Sequence, residues 1–134
     1  LRRLLDAGAK PSRSPSPEAD EAPLHTAIKI GLIKSAELLL ERGAGIAEPT
    51  GDFPCMTPLH MAGLYNQRMI AQMLVERGAD VNARDRTGRT PLHQAVREKS
   101  FNVLSYFLTH TPADVNARDN ADNTPLHLAC LMEW

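Results

Sequence analysis

Apolar residues recur at helix spacing in short bursts along this chain, and polar punctuation separates the bursts. The clearest run is 57–85, TPLHMAGLYNQRMIAQMLVERGADVNARD. Thr57-Pro58 predicts a helix start, because a threonine hydroxyl accepts a bond from an orphan N–H and proline suits the first helical position. A first short helix then runs to about Tyr65. Asn66 tolerates left-handed backbone and supplies a tight connection. Ile70, Met73 and Leu74 fall on one face of a second helix, and Gly78 closes it. A polar stretch leads out through Gly88, and Thr90-Pro91-Leu92-His93 begins the pattern again.

That restart organises the whole chain. His25, His60, His93 and His127 each follow Pro-Leu and stand 35, 33 and 34 residues apart. Thr-Pro-Leu-His occurs three times, and Ala22-Pro23-Leu24-His25 is its variant. Ala27, Ala62, Ala95 and Ala129 each lie two places after a histidine. A period near 33 headed by T-P-L-H-x-A resembles the ankyrin repeat, and the resemblance covers essentially all 134 residues. It implies an all-α fold: an ankyrin-repeat α-solenoid of antiparallel helix pairs, with short β-hairpin-like fingers projecting to one side.

Register divides this single domain, 1–134. Residues 1–21 read as the end of a partial repeat plus a long finger. Full repeats follow at 22–56, 57–89 and 90–123, and a partial one at 124–134. Leu4-Leu5-Asp6-Ala7-Gly8-Ala9 aligns with the second-helix endings at 39–44 and 74–79. Residues 11–23 have the composition of a linker. Yet Gly8 to Leu24 spans 16 residues, as does Gly43 to Leu59, against 14 from Gly78 to Leu92. The segment is therefore a long finger rather than a domain boundary. The finger after repeat one, GIAEPTGDFPCM, also carries two extra residues. Ala22 replaces a capping threonine. The third repeat lacks a closing glycine, and Pro112 stops its second helix instead. Apolar residues at both ends, among them Leu1, Leu4, Leu128, Leu131 and Met132, do not resemble the polar caps of a solenoid and predict a longer array, or one closed by further sequence.

Composition adds bounds. The chain is 43% hydrophobic and 23% charged with a net charge of −1, which gives no general reason to expect nucleic acid or a membrane surface. No apolar run reaches the ~18 residues of a spanning helix. Cys55 and Cys130 are the only cysteines. A disulfide scaffold is not expected, and a reducing cytoplasm or nucleus is. Cys130 falls at a small-residue position of a first helix and is expected in the core, whereas Cys55 lies in a finger.

No metal, cofactor or catalytic site is expected. Stacked helices lie ~8–10 Å apart, but two nitrogens on one zinc must lie within about 4 Å of each other. The recurring histidines therefore cannot share an ion, and the resemblance implies that they link neighbouring turns. No phosphate loop, nucleophile elbow or converging carboxylate pair is present, so no enzyme and no small-molecule substrate is expected.

The sharper features are candidate partner surfaces. The resemblance implies that finger tips and the exposed side of the first helices line a concave, partner-binding face. By register, the exposed first-helix positions are Lys29/Ile30, Leu64/Tyr65, Arg97/Glu98 and Leu131/Met132. Ile30, Leu64 and Tyr65 form an apolar candidate contact, with Tyr a favoured anchor; the plainer alternative is that Leu64 packs inward and Tyr65 is half covered. Phe53 is the candidate in the first finger. Arg84, Arg86 and Arg89 make the next finger basic, and Arg97 is placed near it, which suits an acidic segment on a partner protein; the alternative is a solvated turn with Asp85 offsetting one charge. Aromatic interleaving is missing there, so no nucleic acid is expected.

Ser14-Pro15 and Ser16-Pro17 resemble proline-directed phosphorylation sites. Asn82 and Asn116 each follow Asp-Val, with Leu74 and Leu108 eight residues upstream, and resemble the asparagines hydroxylated in ankyrin domains. The alternative is that their side chains bond turn backbone. The expected function is protein–protein recognition. A regulatory or autoinhibitory segment of a larger enzyme, channel or transcription regulator, and a structural spacer, are the other classes.

Overall fold

The computed structural model describes residues 22–133, and the readings made above for residues 1–21, including Ser14 and Ser16, lie outside that range. The described residues form seven helices and no strand: α1 Pro23–Ile30, α2 Ile33–Glu41, α3 Pro58–Leu64, α4 Arg68–Glu76, α5 Pro91–Arg97, α6 Phe101–His110 and α7 Pro125–Leu131. The first helices α1, α3, α5 and α7 stack in one row, and α2, α4 and α6 in a second. The core lies between the rows, where Leu24, Ile28, Leu39, Leu59, Ile70, Leu74, Leu92 and Phe107 are fully buried.

The helix starts follow from the Thr-Pro-Leu-His head. The Thr57 hydroxyl accepts from the His60 N–H at 3.4 Å, while the Thr57 N–H donates to Nδ1 of His60 at 3.2 Å. Thr90 with His93 and Thr124 with His127 repeat this reciprocal cap. A backbone N–H can only donate, so Nδ1 is the acceptor and the ring proton sits on Nε2. That N–H donates to the Arg89 carbonyl at 2.7 Å from His60, and to the Asn123 carbonyl at 3.0 Å from His93. Each of these histidines thus caps its own helix and ties down the residue before the next one. Burial lowers the pKa of both His60 and His93, against the raising effect of those carbonyl bonds, and favours the neutral ring that the bonds require. Repeat one is poorer. Ala22 makes no side-chain cap bond, and Nδ1 of His25 is buried with no partner, although its Nε2 still reaches the Glu48 carbonyl at 2.9 Å.

The turn after each first helix uses one left-handed residue at a fixed register: Gly31, Asn66, Lys99 and Glu133, with φ of 85°, 55°, 54° and 52°. The sequence points to the first two but not to lysine or glutamate. The third repeat ends differently, as expected. Thr111 is extended, and its hydroxyl bonds the Phe107 carbonyl at 2.7 Å, satisfying a helix-end acceptor without a glycine.

In the last repeat the described residues include only a first helix, so no second helix covers its core positions. Leu24, Leu59 and Leu92 are 1–2% exposed, whereas Leu126 at the same register is 72% exposed. Cys130 is likewise exposed among the described residues. Its counterparts Ile28, Gly63 and Val96 are each covered by the first helix of the next repeat. Gly63 shows how close that packing is, since a Cβ there would stand 2.9 Å from the Pro91 carbonyl.

Candidate functional site

Among the described residues three fingers connect the repeats, and a bond across each base closes it. Finger two closes with the Asp85 N–H on the Arg89 carbonyl at 3.0 Å, and finger three with the Asp119 N–H on the Asn123 carbonyl at 2.9 Å. Finger one closes with the Thr50 N–H on the Met56 carbonyl at 2.8 Å. The closed span is therefore two residues longer in finger one, and the two extra residues noted in the sequence sit in its tip.

The closing residues differ in chemistry. Asp85 is buried, and its Oδ1 accepts from the Thr87 N–H at 2.8 Å, the Thr87 hydroxyl at 2.6 Å and the Arg89 N–H at 3.1 Å. Its Oδ2 accepts from the Gln94 amide at 3.1 Å. Asp119 accepts from the Ala121 and Asn123 N–H groups, each at 2.9 Å, and faces Nε of Arg89 at 3.5 Å. Burial alone would raise the Asp119 pKa, but these donors outweigh it and hold the carboxyl below its ordinary value. Asp85 is thus an internal anchor rather than a surface offset for the arginines. In finger one the Thr50 hydroxyl takes this place and accepts only the Met56 N–H, at 3.0 Å.

The longer tip of finger one stands over the first helices. Phe53, 72% exposed, walls a hollow of about 260 Å³ together with Asp52, Met56, Met61, Tyr65 and Lys29. Two candidates, Phe53 and Tyr65, are brought together here. Tyr65 and Leu64 are half-buried rather than exposed, which corrects the register assignment: α3 ends at Leu64, and Tyr65 lies back against the core. Ile30 is 63% exposed at the end of α1, beside Lys29 but outside the hollow's lining.

The arginines do not form one cluster. Arg84 donates to the Arg118 carbonyl, Arg89 turns to Asp119, and Arg97 at the end of α5 lies 3.7 Å from Glu98. Arg86 is exposed, and its backbone N–H bonds the Pro54 carbonyl at 2.9 Å, joining finger two to finger one. Arg84 and Arg86 line a second hollow of about 350 Å³ with Cys55 and Thr57. The two hollows share finger one but no lining residue.

A family model for ankyrin repeats, in three copies, matches residues 1–85 and 59–133. This chain belongs to the ankyrin-repeat family. Repeats of this family are interaction modules and generally non-enzymatic. The chain is 39% identical over 54 residues to Rabankyrin-5 of Mus musculus, 40% of this chain. It is 40% identical over 70 residues to the Neurogenic locus Notch protein of Drosophila melanogaster, 52% of this chain. It is 41% identical over 54 residues to NF-kappa-B inhibitor alpha of Gallus gallus, 40% of this chain. The matched stretches cover 5%, 3% and 17% of those relatives' lengths.

The ankyrin framework also accounts for Asn82. Its amide Oδ1 accepts from the Asp114 N–H at 2.7 Å and its Nδ2 donates to the Pro112 carbonyl at 3.4 Å, so it bonds the next repeat's turn. The side chain of Asn116 is exposed and makes no bond within the described residues. Among the described residues no group of three His, Cys, Asp or Glu could hold a metal ion, and no helix is long and apolar enough to cross a membrane. Sequence reasoning missed the buried anchors Asp85 and Asp119. Both stand five residues before a Thr-Pro-Leu-His head, a recurrence that marks them once the register is known.

Proposed function

We propose that this ankyrin chain recognises a partner protein through the face made by its finger tips and first helices. The observation that carries the reading is Phe53, a large aromatic 72% exposed on the one described finger whose tip is extended, beside the half-buried Tyr65. Buried interface anchors are enriched in aromatic residues, whereas isolated exposed arginines contribute chiefly to partner choice and association rate. Arg86 fits that second role, toward an acidic partner segment; Arg84, Arg89 and Arg97 already have acceptors or a carboxylate beside them. Affinity capture with the chain as bait tests the reading. Phe53→Ala is expected to abolish specific recovery and Arg86→Glu to reduce it. Undiminished recovery with both would remove this face from consideration.

A regulatory segment of a larger protein is the second reading, favoured by the small share of each relative that the chain matches and by one relative's designation as an inhibitor. The unpaired Cys55 and Cys130 suit a reducing cytoplasm or nucleus. For hydroxylation, Asn82 and Asn116 are both candidate substrates, and the Asn82 amide is bonded to the next repeat's turn. Intact-mass measurement after treatment with an asparaginyl hydroxylase should show added oxygen; none would refute it.

A further inference from the structure

The hollow under finger one has features that narrow what can fill it. Its volume, about 260 Å³, lies below the ~300–1,000 Å³ typical of small-molecule sites. It suits one large side chain. Met56 and Met61 supply apolar, adaptable surface, Tyr65 lies against the core behind them, and Phe53 closes one side. Lys29 and Asp52 stand at the mouth. Both are exposed, and neither forms an ion pair within the described residues. The hollow therefore combines methionine and aromatic surface with an exposed lysine and an exposed aspartate that have no ion-pair partner among the described residues.

Finger two cannot make the same feature. Its closed span is two residues shorter, Arg86 takes the register of Phe53 counted back from the helix start, and Gly88 packs against Asn120 of finger three. The hollow belongs to the departure of finger one from the repeat.

We propose that the hollow receives a single bulky apolar side chain, Leu, Met, Phe or Trp, from a partner segment that carries an acidic residue on one side of it and a basic residue on the other. The acid faces Lys29 and the base faces Asp52. This deepens the recognition reading above and rests on it.

Random peptides displayed on phage, panned against the whole chain, test the proposal. Enriched peptides should share one large apolar residue flanked by opposite charges. Phe53→Ala should weaken the best of them at least about tenfold, as expected for a central anchor. Lys29→Glu and Asp52→Lys should each weaken it about two- to fivefold, the range of exposed ion pairs. The double variant should prefer the peptide with its two charges exchanged. All three side chains are exposed, so the unfolding midpoint should not move and confirms that each variant is folded. Peptides that bind Phe53→Ala as well as the parent chain, or show no charge pattern, would overturn the proposal. If those peptides lose binding to Arg86→Glu, or if affinity capture still responds to other finger substitutions, the hollow is wrong while recognition by this face stands. If capture responds to none of them, both fall.

Discussion

Fingers one and two both return the chain to a Thr-Pro helix start, but over different lengths and with different anchors. Finger two closes in a span of Asp85 to Arg89 around a buried carboxylate that takes bonds from Thr87, Arg89 and Gln94. Its tip is packed on finger three, where Asn120 bonds the carbonyls of Arg86 and Thr87. Finger one closes from Thr50 to Met56 around a hydroxyl with one backbone donor, and its Phe53 stands in solvent. A finger most of whose polar groups serve the scaffold has little beyond Arg86 left to offer a ligand. A finger relieved of that duty can present an aromatic side chain and an exposed carboxylate.

The comparison makes unequal demands on the two anchors. Asp85→Ala leaves several donors without an acceptor, some of them buried, and should lower stability by about 3 kcal/mol. Thr50→Ala removes a single partly buried acceptor and should cost about 1 kcal/mol or less. Urea unfolding of both variants checks this, and equal losses would erase the distinction between the fingers. Repeat one can be brought toward its siblings by Ala22→Thr. That change supplies a cap and a partner for the buried Nδ1 of His25, and should raise stability by ~0.5–2 kcal/mol; an unchanged or lower midpoint would contradict the cap geometry. Lys99→Gly, at a left-handed position that glycine occupies in repeat one, should add up to ~1 kcal/mol.

A smaller effect belongs to pH, and it tests the regular repeats. His60 and His93 are depressed by burial from the ordinary value of 6.5, so their contribution is whole above that pH. As pH falls below it, the unfolded chain takes up protons that the folded chain refuses, and stability declines until the folded rings titrate. Asp119, also held low, adds its loss only below 3.8. The urea midpoint should therefore fall between pH 7.5 and pH 5.5; a rising midpoint would contradict neutral, Nε2-protonated rings.

Much of this was legible in the chain itself. The period fixed the helices to within a residue or so of their ends, because Thr-Pro starts and Gly or Asn turns are local signals. The same period exposed the two extra residues of finger one. The site was less legible. Burial at the ends of short helices depends on what the next element covers, so register alone placed Tyr65 too far out. The partners of Arg84 and Arg89 lie 34 and 30 residues away in the next finger, which no local pattern announces. Arg86 and Phe53 remain as presented side chains because no neighbouring finger among the described residues uses them.

The most direct measurement removes the difference between the fingers. Deleting Gly51 and Asp52 would give finger one the closed span of finger two while keeping Thr50, Phe53 and Met56. Calorimetric titration of the best selected peptide into the parent chain and the deletion variant should show binding lost, with the unfolding midpoint nearly unchanged. Undiminished affinity in the folded deletion variant would show that the extended tip is not where this chain recognises its partner.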